Sequence, residues 1–147
     1  MRSGGLLSAE LEILSMEYQT VDQTVCSLLL QTSQAAADRH LSPAQIHQLL
    51  QARPTLAAHS CRQQGLGQFG EKIAQASLPH LLEHLIIDRL VTKSNGTLVA
   101  GVTRWQNQPQ GRAQVRLRLP VSLLPAVENA VRQAAQELND LLADRLC

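Results

Sequence analysis

His80, Glu83 and His84 form an H-x-x-E-H pattern inside the run Leu78 to Leu90, and Asp88 continues the same line. Positions i, i+3, i+4 and i+8 share one face of a helix. Two imidazoles one turn apart can aim at one cation, and a carboxylate beside them can take a proton from a water that the ion polarises. His80 and His84 are therefore candidate zinc ligands, and Glu83 is the candidate general base. The competing reading is a metal-free polar line on a core helix, with both histidines hydrogen-bonded. The other positions, Leu78, Leu81, Leu82, Leu85, Ile86, Ile87 and Leu90, are apolar on nearly every side, which predicts a buried helix. Ionisable groups on such a helix are costly unless paired or bound to metal, so other elements must supply partners.

A catalytic zinc needs a third protein ligand. Asp88 stands two turns from His80, about 12 Å along the axis, and fits better as a hydrogen-bond partner behind His84. His59 could come from a loop, and Glu128 or Glu137 from the last helix. His59 and Cys61 are both able to bind a soft metal, but at i, i+2 they cannot share a helix face. Taken alone, the pair reads as non-functional. His40 and His47 join no ligand pattern and read as surface residues.

The elements that must position these groups follow from periodicity and punctuation. Glu10 to Tyr18 alternates with a change of phase near Ile13, which predicts a strand with a bulge. Val21 to Arg39 carries Val25, Leu28, Leu29, Thr32 and Ala36 at helical spacing, which predicts a helix capped by Thr20 or Asp22. Ser42-Pro43 opens a second helix that Arg53-Pro54 stops, with Ile46, Leu49 and Leu50 inward. Thr55 to Gly70 is irregular. A short helix over Phe69 to Gln75 packs Phe69, Ile73 and Ala74, and Ser77 caps the long apolar helix. That helix ends near Ser94-Asn95-Gly96, a turn signal. Thr97 to Trp105 and Gly111 to Leu119 form a hairpin. Ala113, Val115, Leu117 and Leu119 face in, and Arg112, Gln114, Arg116 and Arg118 face out. This arginine row reads as a solvated sheet face; it could also grip carboxylates, and the glutamates of the first strand could pair across from it. Leu124 to Leu146 is a long amphipathic helix that covers the sheet or joins a second copy as a homodimer. The fold expected is α+β: one domain over residues 1–147, with 1–9 a loose lead-in and a small antiparallel sheet (strands near 10–18, 97–105 and 112–119) packed against several helices.

Composition bounds the rest. With 147 residues, 44% hydrophobic and 17% charged, the chain is globular and long enough for one real core. The only aromatic residues besides histidine are Tyr18, Phe69 and Trp105, so the core must be aliphatic. A net charge of +1 argues against a nucleic-acid partner. The three cysteines, Cys26, Cys61 and Cys147, form no C-x-x-C and no disulfide framework. With no apolar run long enough for a signal peptide or a membrane span, the chain is expected in the cytoplasm, away from membranes.

Between His59 and Leu119 the chain resembles the N-terminal domain of cyanophycin synthetase. The matching residues are His59 and Cys61, then Gly67-Gln68-Phe69, then His80, Glu83 and His84, then Asp88, then Gly101-Val102-Thr103-Arg104. Pro79 stands where that family has a glycine, and Trp105, Gln106 and Asn107 stand where it has an R-E-T piece. H-x-x-E-H is also the order of the inverted zincins. The resemblance implies a zinc metallopeptidase-like hydrolase domain acting on or binding an arginine- and aspartate-rich peptide or polymer. His80 and His84 would be metal ligands and Glu83 the catalytic base; the arginine face, with Arg104 and Arg116, is the candidate for binding a carboxylate-rich substrate. The ATP-dependent domains of that family have no counterpart here. The alternative is a non-catalytic peptide- or protein-binding module that keeps the same fold.

Overall fold

A computed structural model describes residues 10–20, 23–61, 67–93 and 99–143. In chain order the elements are β1 (Leu11–Thr20), β2 (Thr24–Thr32), α1 (Pro43–Ala52), a 3₁₀ turn (Pro54–Ala58), the short α2 (Phe69–Lys72), α3 (Leu78–Lys93), β3 (Ala100–Asn107), β4 (Arg112–Leu119) and α4 (Leu124–Ala143). The four strands form one antiparallel sheet in the order β1-β2-β4-β3. Helices lie on one face of it, so the architecture is α+β.

The helix expected over Val21 to Arg39 does not form: Thr24–Thr32 is a central strand, followed by a turn, and Val21 and Asp22 lie outside the described residues. Thr24, Cys26, Leu28, Leu30 and Thr32 are at most 1% exposed, whereas the residues between them are only half-buried. The apolar run Val25 to Leu30 satisfies a period of 2 and a period of 3.6 alike. Pairing on both sides, with β1 and with β4, decides for the strand. Because β2 separates β1 from β4, Glu12 and Glu17 do not pair with the arginines of β4 within the chain. β1 keeps its bulge: Leu14 is skipped between Ile13, paired with Leu30, and Ser15, paired with Leu29. That one residue turns Met16 and Tyr18 onto the same side as Leu11 and Ile13.

α1 begins at the Ser42 cap with a complete capping box: the Ser42 hydroxyl accepts from the Gln45 amide, and the Gln45 side chain accepts from the Ser42 amide. Ser77 receives the His80 amide at the start of α3. Phe69 and Ile73 are buried as expected, but the buried alanine of that segment is Ala76 rather than Ala74. The Asn95-Gly96 turn lies outside the described residues.

α3 packs on the hairpin side of the inner face of the sheet, and α4 lies beside it toward β1. Leu78, Leu81, Leu82, Leu85, Ile86 and Leu90 are fully buried. The expected inner row of β4, Ala113, Val115, Leu117 and Leu119, is fully buried against it. The apolar stripe of α4, Val127, Val131, Leu138, Leu141 and Leu142, is used within the chain. Asn139 accepts from the Leu11 amide and donates to the Leu11 carbonyl, tying α4 to the edge strand β1.

The β3–β4 hairpin closes through Gly111, whose φ of 73° lies in the left-handed region. A Cβ there would collide with the carbonyl and hydroxyl oxygens of Thr32. Gly111→Ala should lower stability by about 2 kcal/mol or more, by adding backbone strain and displacing β2. Urea denaturation of the two proteins checks it, and an unchanged midpoint would contradict the close approach.

Candidate metal centre

His80, Glu83, His84 and Asp88 are each no more than 5% exposed, and each meets a group from another element. The partners arrive from the 53–61 segment and from β3. Cys61 is tied by its backbone: its amide donates to the Gly67 carbonyl, and its carbonyl accepts from Lys72 Nζ at 2.7 Å. Its thiol then lies 3.5 Å from His80 Nε2. That is close to the spacing of a sulfur and a nitrogen held about 2.3 and 2.0 Å from one tetrahedral zinc ion. Ligand atoms of Cys61, His80 and His84 all lie within 4.8 Å of one another, so this buried cluster can hold a metal ion.

The third member of the cluster is Cys61, not the candidates expected from spacing. His59 touches the site from behind, with its Nδ1 3.1 Å from Nδ1 of His84 and its Nε2 2.9 Å from Asp88 Oδ1. Asp88 therefore reaches His84 only through His59. Glu128 is exposed on α4, and Glu137 binds Arg53 at 2.8 Å and Arg89 at 3.2 Å. Arg116 points from the opposite face of the sheet. Arg104, on the edge strand β3, lines a cavity of about 380 Å³ together with His80, Lys72, Thr103, Trp105 and His40. His40 and His47 are exposed as expected. His80 borders this cavity, whereas His84 is sealed by Phe69, whose ring stacks on it at 3.9 Å between centroids and 15° between planes. Sequence did single out Cys61 as a metal-capable residue. What it lacked was the turn that brings residue 61 to His80.

The protonation states follow from these neighbours. Burial pushes His80 down to about 4, helped by the nearby Lys72 ammonium. Burial pushes His84 down to about 3, helped by His80 and His59. Both are neutral at pH 7, the form that ligates metal. Burial raises Asp88, but hydrogen bonds from His59, Thr55 and Arg53 outweigh it and hold the carboxylate below its ordinary range. Ionised Asp88 only accepts, so His59 Nε2 carries a hydrogen. Nδ1 of His84 is thereby engaged by Nδ1 of His59, and the other ring nitrogen of His84 is Nε2. That nitrogen lies 3.8 Å from Glu83 Oε2.

Glu83 is set by the β3 edge. Thr103 donates to its Oε1 at 2.6 Å, and Gly101 leaves the room its carboxylate fills: a Cβ at Gly101 would sit 2.9 Å from Glu83 Oε2. Burial raises the Glu83 pKa against the opposing effects of the Thr103 bond and His59. Cys26 takes no part: it is fully buried under the sheet, and burial lifts its thiol to about 11. Cys147 lies outside the described residues. Among the described residues no helix is long and apolar enough to cross a membrane. No protein-family model matches the chain, and no curated protein matches it.

Two outcomes follow. In metal-free protein, the unfolded chain takes up protons on His80 and His84 below pH 6.5, while the folded chain resists until about pH 4 and about pH 3. Stability should therefore fall as pH drops through this window, by about 1.4 kcal/mol per pH unit for each histidine. Urea midpoints at pH 7 and pH 5 in chelator measure it, and His80→Gln should flatten the slope. Separately, Asp88→Asn should cost about 2 kcal/mol, since charged bonds from Arg53 and His59 weaken together. A loss under about 0.5 kcal/mol would show that the Asp88–His59–His84 chain carries little.

Proposed function

We propose that this chain is a zinc-dependent, peptidase-like domain that acts on or binds an arginine- and aspartate-rich peptide or polymer. The observation that carries the reading is the convergence of Cys61, His80 and His84, with His80 at the border of a cavity and Glu83 beside His84. The resemblance between residues 59 and 119 and the N-terminal domain of cyanophycin synthetase supplies the substrate class. Three protein ligands leave a fourth position open, the pattern of catalytic rather than structural zinc. Bound there, zinc would polarise an amide carbonyl and lower the pKa of water. Glu83, with Oε1 held by Thr103, keeps Oε2 to accept a proton and return it to the leaving nitrogen. Arg104 at the cavity wall would hold a substrate carboxylate. A cytoplasmic setting fits the two buried free thiols, Cys26 and Cys61.

A second reading is a non-catalytic binding module. The near-complete sealing of His84, 3% exposed under Phe69, favours it. So does Trp105-Gln106-Asn107 in place of the R-E-T piece.

Metal analysis and peptide hydrolysis separate the readings. Wild type should hold about one zinc per chain, and Cys61→Ala or His84→Ala should each weaken zinc by about 100-fold or more. Glu83→Gln should keep the metal, because the amide still accepts from Thr103, yet reduce hydrolysis of Arg/Asp peptides by about 10²–10⁴-fold. Hydrolysis that survives Glu83→Gln would overturn the base assignment. Zinc affinity untouched by both ligand variants would overturn the site. Stoichiometric zinc without hydrolysis would establish the module.

A further inference from the structure

We propose that the uncovered face of the sheet is a self-complementary surface on which two copies of this chain pair face to face. This rests on the sheet and not on the metal cluster; Arg104, on the edge strand that borders both the cavity and this face, is left out of the charge reversals that test it.

The helices cover one face only. No described element packs over the other, whose cross-strand rows follow from the register. One row is Glu17–Ser27–Arg116–Val102, another is Ser15–Leu29–Gln114–Arg104, and a third is Gln19–Val25–Arg118–Ala100. Acid sits on one edge strand: Glu12 and Glu17 are both exposed on β1. Base sits at the other side, as Arg116 and Arg118 on β4 and Arg104 on β3, all exposed. These five charges make no ion pair or side-chain hydrogen bond among the described residues. Between them run apolar side chains, half-buried Val25 and Leu29 and 53% exposed Val102. A shallow depression of about 140 Å³ opens between Val25, Val102, Arg104, Arg116 and Arg118.

That distribution suits a twofold partner. Rotation by 180° about an axis in the interface, parallel to the strands, lays β1 of one copy over β3 of the other. Glu17 then faces the Arg116 and Arg104 side of the second copy, and the same contact repeats by symmetry. The apolar strip meets itself at the centre, as in the inner faces of a sandwich. A twofold axis across the strands would instead lay each strand over itself and set arginine on arginine. Four strands about 4.8 Å apart, each about eight residues long, give a footprint of roughly 500 Å² per copy. The pair buries roughly 1,000 Å², the lower limit for a specific interface, so a reversible dimer with Kd of about 10 µM is expected.

Sedimentation velocity on the full chain tests this between about 1 and about 200 µM. Wild type should pass from one chain to two over this range, and high salt should weaken the pair. E12R/E17R and R116E/R118E should each weaken it by about 10-fold or more. Their 1:1 mixture should restore a dimer, because one copy then offers five arginines and the other four glutamates beside Arg104. Unchanged melting temperatures confirm that these surface variants fold. A wild type that stays one chain at about 200 µM overturns the proposal and leaves the arginines to an anionic partner. So does a dimer indifferent to both reversals, which would use another surface, or a mixture that stays monomeric.

Discussion

The burial of four ionisable groups on one apolar helix is the constraint around which the molecule is arranged. α3 gains its place in the core from seven aliphatic residues, and those same contacts remove His80, Glu83, His84 and Asp88 from water. Desolvation of this kind disfavours charge, and each group meets it differently. The two histidines stay neutral, Glu83 takes the Thr103 hydroxyl, and Asp88 stays ionised because Arg53, Thr55 and His59 point at it.

The segment after α1 shows this dependence. Pro54 stops the helix and starts a 3₁₀ turn, which aims Arg53, Thr55 and His59 at α3. Arg53 then bridges Asp88 to Glu137, linking α3 to α4 through charge as well as packing. A bridge between Ser60 and Gln68 narrows the loop mouth, and Lys72 grips the Cys61 carbonyl. Phe69, the only phenylalanine, fills the space between these pieces and lies flat on His84. The β3 edge completes the enclosure, with Gly101 thin enough for Glu83 to approach and Thr103 placed to hold it.

Burial therefore does two things at the cluster. It keeps the imidazoles in their ligating form, and it makes an unliganded set of donors expensive to expose to protons. The same shielding leaves His80 as the group nearest the cavity, with His84 behind it. The opposite face of the sheet is subject to none of this. Its side chains stay charged and unpaired because nothing described covers them, and acid and base are segregated by strand.

The sequence by itself determined the apolar helix and its polar line, the hairpin with its inner row, the Ser42 cap, the β1 bulge and the stripe of α4. Each is a local period or a local hydrogen bond, written in neighbouring residues. It misjudged Val21 to Arg39, where six consecutive residues, five of them apolar, fit a helix and a strand equally and only two flanking strands break the tie. The α+β class survived because the remaining elements already demanded a sheet. The candidate site divided along the same line. His80, Glu83 and His84 were legible because one helix carries them at fixed spacing. The joining of Cys61 to them, the retreat of Asp88 behind His59 and the removal of Arg116 to the far face were decided by tertiary structure. A contact across 19 residues, such as Cys61 with His80, depends on how a turn closes, and no local period records that.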